Sequence, residues 1–182
     1  MRESLSIKEE IFRKLIHFSG LLYIPSYNIF GREILFSALL SLIPFVAILE
    51  FFRIRKGLFG CISREYEKRS LGAYVYFLIS LILLTSLFPR ETAFVAVLTA
   101  VVGDGTAGIL RRMQRDFLAS LAMFASSMLS IHVLGLMDSH SAFAVLIGTL
   151  VERIKRVGRM KIEDNLSVPI SAALADSVKY IS

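Results

Sequence analysis

The sequence predicts an all-α, polytopic membrane protein that forms one integral membrane domain over residues 1–182. Three observations support this prediction. Hydrophobic residues make up 55% of the chain, the mean hydropathy is +0.65, and long apolar runs alternate with short basic segments. Helices of a soluble protein carry a polar face opposite each apolar one, and these runs lack it. The composition therefore belongs to the integral membrane class.

About seven membrane-spanning helices are expected. Ser6 and Glu9 have the spacing of a capping box, so a helix should begin near Ile7 and continue into the first crossing. This first crossing is expected to be retained, because Pro25-Ser26-Tyr27 makes a poor signal-peptide cleavage site. The crossings are predicted at 15–30, 34–52, 71–88, 92–110, 117–137, 142–151 and 166–181. The run at 142–151 is shorter than the about 20 residues that a bilayer needs.

The basic residues predict how the chain is oriented. With a cytoplasmic N-terminus, the inner segments hold 18 of the 21 lysines and arginines, and the outer side holds only Arg32, Arg90 and Lys179. Such an excess of basic residues is typical of cytoplasmic loops, and it also favours a true crossing at 142–151. The net charge of +6 is therefore explained by topology rather than by binding of nucleic acid.

Acidic and basic side chains gather at the cytoplasmic ends of these crossings. Glu10, Arg13, Lys14 and His17 follow the spacing i, i+3, i+4 and i+7, which places them on one helical face. One explanation is that arginines and lysines at span ends extend toward water beside carboxylate neighbours. That explanation accounts for the basic residues better than for the carboxylates among them.

Asp104 is the most informative of the carboxylates, because it stands between Gly103 and Gly105 inside an apolar run. A charge within a membrane span costs about 2.5–3.5 kcal/mol on insertion scales, so it is normally retained for function or pairing. Glu152 and Asp164 flank the last cytoplasmic loop. Carboxylates hold Mg²⁺ and basic side chains neutralise phosphate, so this mixture predicts a site for a phosphorylated, metal-bound ligand.

The sequence lacks several common motifs for nucleotide binding and for a catalytic nucleophile. The chain has no G-x-x-x-x-G-K-[ST] loop, no protein-kinase signature and no G-x-S-x-G elbow. Cys61 is the only cysteine, which excludes an intrachain disulfide.

Four motifs in order resemble the polyprenol kinase family, which includes dolichol, phytol and farnesol kinases and CTP-dependent diacylglycerol kinase. The family is also similar in places to phosphatidate cytidylyltransferases. The motifs are Glu10-x-x-Arg13-Lys14-x-x-His17, Arg64-Glu65-x-Glu67 before a span that starts at Gly72, Gly103-Asp104-x-x-Ala107, and Glu152 with Glu163-Asp164-Asn165-Leu166-Ser167-Val168-Pro169.

The resemblance implies a multi-span enzyme at the cytoplasmic membrane face. It would transfer a phosphoryl group, commonly from CTP and with Mg²⁺, to a membrane-embedded alcohol of the polyprenol or diacylglycerol type. Arg13, Lys14 and Asp104 are the expected catalytic residues, and Asp104 and Asp164 the expected metal ligands. The residues expected to bind nucleotide are Arg13, Lys14, Gly103, Gly105, Arg111, Arg112 and Asn165. Glu10, His17 and Glu152 complete the expected site, and Asp104, His17 and Glu10 are all possible bases.

The chain departs from the family pattern after Asp104. Arg111 stands where the family has a glycine, Arg115 replaces a lysine, and Leu118 takes the position of a glutamate. The kinase hypothesis has two alternatives. One is a cytidylyltransferase of the same fold that activates a phosphorylated lipid with CTP. The other, suggested by these departures, is a catalytically degenerate protein that binds lipid or nucleotide.

Overall fold

The computed structural model of the chain describes residues 17–56, 70–113, 115–154, 156–157 and 160–181, with only the backbone at 56, 112, 156, 157, 160 and 161. The helices are α1 (Tyr23–Lys56), α2 (Ala73–Leu87), α3 (Arg90–Leu98), α4 (Asp104–Arg112), α5 (Asp116–Val133), α6 (Ser139–Glu152) and α7 (Asp164–Ser177). A π-helical turn, Thr99–Gly103, joins α3 to α4, and 3-10 turns occupy Ser19–Leu22 and Val178–Tyr180. The strands β1 (Arg156–Val157) and β2 (Met160–Lys161) form a small antiparallel hairpin. Apart from this hairpin, the predicted all-α fold is confirmed.

Three of the described helical stretches are long and apolar enough to cross a membrane. They are Ser19–Arg55, Arg90–Arg111 and Asp116–Val133, with 37, 22 and 18 residues. The apolar helices α2 and α6 are shorter, with 15 and 14 residues. A helix of 14 residues is about 21 Å long, less than the about 30 Å of a hydrocarbon core. These lengths and compositions are compatible with the membrane protein that the sequence predicts.

Helix α1 is interrupted at Gly31, which has φ 77° and ψ 174°. Only glycine adopts such a conformation without strain. After the break, Arg32 Nε donates to Thr85 O (2.8 Å) near the end of α2. Farther along, Glu50 Oε1 accepts from Gly72 N (2.9 Å) just before α2 begins. The chain after Gly31 is therefore antiparallel to α2.

The chain before Gly31 has the opposite direction. The ring of Tyr27 lies 5.5 Å from the ring of Phe94 in α3, whereas Gly20 lies against Val101, two turns farther along. This segment is therefore antiparallel to α3, which itself follows α2 after a turn at Pro89. The break at Gly31 thus reverses the chain, one residue before the predicted separation at Arg32.

The polar contacts define two ends of the bundle. At the Asp104 end lie the carboxyl groups of Asp104, Glu152 and Asp164. At the opposite end, the Asp176 end, Thr92 Oγ1 donates to Asp176 Oδ2 (2.5 Å) and Lys179 Nζ lies 3.5 Å from Asp138 Oδ2. Successive helical segments therefore alternate in direction between these ends.

Helices α3 and α7 form the centre of the bundle. Every residue from Thr92 to Leu98 is buried, and α7 packs against α2, α3 and α6. Large apolar side chains are exposed on α1 and α5, as Phe45 (63%) and Leu129 (64%) illustrate. In a membrane protein such side chains face lipid.

Two predicted boundaries are corrected. The fifth crossing was expected to reach Met137, but α5 ends at Val133. Gly135 has φ 68°, and its N–H and that of Leu136 bond back to His132 O and Ile131 O, as in a Schellman motif. The sixth helix begins at Ser139, three residues earlier than predicted, because Asp138 caps it.

Candidate metal and phosphate site

The π-helical turn Thr99–Gly103 immediately precedes Asp104, the first residue of α4. Single π turns inside α-helices occur frequently at functional sites. Here the N–H of Asp104 donates to Val101 O rather than to Ala100 O, four residues back. His17 Nε2 lies 3.1 Å from Ala100 O instead. Because a carbonyl oxygen only accepts, Nε2 carries the proton, and in the neutral ring Nδ1 is then the acceptor.

Three carboxyl groups converge at this end of the bundle. Asp104, Glu152 and Asp164 each offer an oxygen, and the three oxygens lie within 4.8 Å of one another. They come from the start of α4, the end of α6 and the start of α7. Glu152 is fully buried, and the other two are half-buried. The structure thus brings together both predicted metal ligands, Asp104 and Asp164, together with Glu152.

Within the described part of the chain, the side chains of Arg111 and His17 border the carboxyl groups. Arg111 Nη2 donates to Glu152 Oε2, and Arg111 Nη1 lies 3.9 Å from Asp104 Oδ1. His17 Nε2 lies 3.9 Å from Asp104 Oδ2. Arg111 reaches the carboxyl groups because it follows Asp104 by seven residues, two turns along the same helical face.

The carboxyl groups have the chemistry that a hard divalent cation requires. Mg²⁺ is held by oxygen ligands at 2.0–2.1 Å, so ligands on opposite sides of the ion are about 4.2 Å apart. Oxygens within 4.8 Å of one another need only small side-chain rotations to reach that separation. Since like charges at this range raise one another's energy, a cation among them is also favoured electrostatically.

The two glycines beside Asp104 pack closely against neighbouring segments of the chain. A Cβ at Gly103 would overlap Ser127 Oγ on α5, and a Cβ at Gly105 would come within 2.7 Å of the ring of Phe18. Both positions therefore require glycine for close approach of neighbouring segments. Their predicted role in nucleotide binding stays a prediction.

The remaining predicted site residues are distributed as follows. Glu10, Arg13 and Lys14 lie outside the described residues, as does the motif containing Arg64, Glu65 and Glu67. Arg112 ends α4, and its side chain is also outside the description. Asn165 lies beside Asp164 in the first turn of α7 and is half-buried.

Sequence reasoning missed a clamp at the same end, formed by Glu50, Arg53, Gly72 and Tyr74. Arg53 donates to both oxygens of Glu50, each at 2.7 Å. Gly72 N and Tyr74 Oη also donate to Glu50. Glu50 and Arg53 are each only 5% exposed. The spacing i, i+3 of two opposite charges in an apolar run was the available signal.

A second unexpected group lies at the Asp176 end. Asp176 is fully buried, accepts from Thr92 Oγ1 and lies 2.9 Å from Lys179 Nζ. The sequence marked 166–181 only as an apolar run. Here too an Asp and a Lys three residues apart were the visible sign of an ion pair.

The family resemblance rests on the quoted motifs alone and remains a hypothesis. Comparison of the chain with family models, with curated proteins and with solved structures gave no match.

Proposed function

We propose that this chain is a membrane kinase that transfers the terminal phosphoryl group of a nucleoside triphosphate, in the first instance CTP, to a lipid alcohol. The observation that carries the proposal is the convergence of Asp104, Glu152 and Asp164 within 4.8 Å of one another, at one end of an apolar helical bundle. Phosphoryl transfer depends mainly on positioning and charge neutralisation, for which a carboxylate-bound metal beside basic side chains is suited.

The proposal includes a topology of seven crossings with a cytoplasmic N-terminus. The alternating directions of the helical segments and the 18 basic residues on one side support it. In this topology Ser19–Arg55, which reverses at Gly31, supplies two crossings, and Arg90–Arg111 and Asp116–Val133 supply one each. The shorter helices α2, α6 and α7 supply the other three and are accommodated by local thinning of the bilayer. The Asp104 end then faces the cytoplasm, where the nucleotide is, while the alcohol enters from the bilayer.

Each group of residues has its own role in the proposed phosphoryl transfer. Asp104, Glu152 and Asp164 would hold Mg²⁺, which when bound neutralises charge on the phosphate oxygens. Arg111, with Arg13 and Lys14, balances the remaining phosphate charge. The alcohol oxygen forms a bond to the terminal phosphorus while the bond to the bridging oxygen breaks, and the nucleoside diphosphate leaves. His17 is the base proposed to take the hydroxyl proton, because its ring lies beside Asp104 and a metal-bound Asp104 is a weak base.

The test is a transfer assay. Purified protein, radiolabelled CTP or ATP and Mg²⁺ are incubated with a panel of polyprenols and diacylglycerols, and phosphorylated lipid is measured. Asp104→Asn should remove the product, while the matched variant Asp116→Asn, an exposed aspartate at the start of α5, should retain it. Undiminished turnover by Asp104→Asn would refute the assignment. Release of pyrophosphate from CTP with a lipid phosphate would instead identify a cytidylyltransferase.

One observation favours a second candidate function. Arg111, at a position where the related family has glycine, contacts a carboxyl group of the expected metal site, and Leu118 replaces a family glutamate. These substitutions suit a protein that binds lipid or nucleotide without turnover. Tight binding of CTP with no phosphorylated lipid from any alcohol would establish that function.

A further inference from the structure

The guanidinium of Arg111 lies at the edge of the three-carboxylate cluster of Asp104, Glu152 and Asp164. It donates to Glu152 Oε2 and lies 3.9 Å from Asp104 Oδ1. Glu152 has no exposed side-chain surface, whereas 25% of the Arg111 side chain is exposed. The buried carboxylate of Glu152 is therefore paired with a guanidinium whose side chain is partly exposed.

Glu152 cannot serve Arg111 and a divalent cation equally well. Its carboxyl group belongs to the cluster that would hold the metal, and the guanidinium would stand beside a cation of like sign. Charges of like sign at such distances, partly shielded from water, repel strongly. Each cation therefore weakens the binding of the other.

The position of Arg111 allows its side chain to leave Glu152. It lies in the last turn of α4, two turns beyond Asp104, at the end of the bundle where the chain leaves the apolar region. An arginine side chain released there turns into water by rotation about its own bonds, with no movement of the helix. A guanidinium is also well suited to phosphate, because it can donate two parallel hydrogen bonds.

We propose that Arg111 is a tethered cation that occupies the carboxylate cluster until a divalent metal displaces it, and that the displaced guanidinium then binds the nucleotide phosphates. This proposal rests on the metal site of the proposed function and adds to it an order in which the ligands bind. The metal, alone or with the nucleotide, binds first and makes Arg111 available. A metal-free protein keeps the arginine on Glu152 and binds nucleotide weakly.

The decisive variant is Arg111→Gln, in which the amide can still donate to Glu152 while the positive charge is removed. Mn²⁺ binding to the full-length protein in detergent is measured by electron paramagnetic resonance, and CTP binding by titration with and without Mn²⁺. Energetic coupling between two ligands commonly amounts to 5- to 150-fold. We expect Arg111→Gln to bind Mn²⁺ at least about fivefold more tightly, and to lose most of the increase in CTP affinity that Mn²⁺ gives the unmodified protein.

Two further variants separate charge from contact. Arg111→Lys keeps the charge and should bind Mn²⁺ like the unmodified protein. Arg90→Gln removes an exposed arginine at the start of α3, at the Asp176 end, and should change neither affinity. Mn²⁺ affinity that is unchanged or weaker in Arg111→Gln would overturn the proposal. Absence of Mn²⁺ binding from all variants would overturn the metal site as well, whereas Mn²⁺ binding without lipid phosphorylation would remove only the kinase activity.

Discussion

Two acidic groups at the same end of the bundle differ in how their charges are satisfied. In the clamp, the single carboxylate of Glu50 accepts from the guanidinium of Arg53, from Gly72 N and from Tyr74 Oη. In the three-carboxylate cluster, three acidic side chains point toward one another within 4.8 Å. Among the described residues, Arg111 donates to Glu152, and His17 and Arg111 each lie 3.9 Å from Asp104.

The difference separates a structural ion pair from a binding site. The clamp is complete within the protein, because one carboxylate meets one guanidinium and further donors, and it fastens the end of α1 to the start of α2. The cluster brings three acidic groups from α4, α6 and α7 to one point. Ionisable groups of like charge held together in this way are typical of functional sites.

The largest effect on stability is expected from the clamp. Arg53→Ala leaves Glu50 charged and buried, and breaking a buried pair in this way typically lowers the free energy of unfolding by about 3–5 kcal/mol. Reversible denaturation in mixed SDS micelles measures it. The double variant Glu50→Gln/Arg53→Met should recover part of the loss, since the uncompensated charge is gone.

The matched control is Arg55→Ala, at an exposed position two residues on. It should change the free energy of unfolding by less than about 1 kcal/mol, the usual strength of an exposed cation–π contact such as that of Arg55 with Phe51. An Arg53→Ala loss no larger than that of Arg55→Ala would contradict the assignment of the clamp.

The cluster should behave in the opposite way. Asp164→Asn relieves repulsion within the cluster but removes a favourable charge from the start of α7, an effect of about 0.3–1 kcal/mol. We therefore expect the metal-free free energy of unfolding to change by less than about 1 kcal/mol. The stabilisation by Mg²⁺, about 2.7 kcal/mol at a hundred times the Kd, should be lost. Melting temperatures with and without Mg²⁺ measure both quantities. A variant that is strongly destabilised without metal, yet still stabilised by Mg²⁺, would make Asp164 structural.

The smallest effect is expected at Asp138, an acidic residue of the Asp176 end. Burial alone would raise its pKa, but the hydrogen bond from Ser141 N and the charge of Lys179 outweigh burial and lower the pKa below the ordinary value. A carboxyl group with a lowered folded-state pKa stabilises the fold above its unfolded pKa of about 3.9. That stability is lost as the pH falls through the folded pKa.

Because Asp138 also caps α6, Asp138→Ala should lower the free energy of unfolding by about 0.5–2 kcal/mol at pH 7. The part of this difference that comes from the charge should shrink as the pH falls below the unfolded pKa of about 3.9 and through the lower folded-state pKa. Unfolding measured from pH 7 down to pH 2 tests this. A difference that does not depend on pH would mean that the carboxylate charge is unimportant there.

Much of the bundle could be predicted because apolar runs and charged ends are properties of the sequence itself. The run at 71–88 became α2, and the reversal at Gly31 falls beside the predicted separation at Arg32. The meeting of Asp104 with Asp164 was foreseeable, because alternating segments bring both residues to one end.

Contacts between neighbouring segments were not foreseeable. Hydropathy shows that Glu50 ends a run, but only the packing of α1 against α2 brings Tyr74 to it. The bond from Thr92 to Asp176 joins residues 84 positions apart. Likewise, the end of α5 at Val133 depends on Gly135 adopting a left-handed conformation, which an apolar pattern does not reveal.

The π-helical turn at Thr99–Gly103 has an evolutionary consequence. Such a turn holds one residue more than the α-helix around it and absorbs that residue locally, so the helix on either side keeps its faces. Loss of a single codon in this stretch would restore a regular helix of nearly the same length and hydropathy, with Asp104 still on the same face. Ala100 O would then accept from the backbone four residues on, and it would no longer be left to His17 Nε2. Gain of that codon in an ancestral membrane helix would have been enough to bring a histidine ring beside the acidic residues.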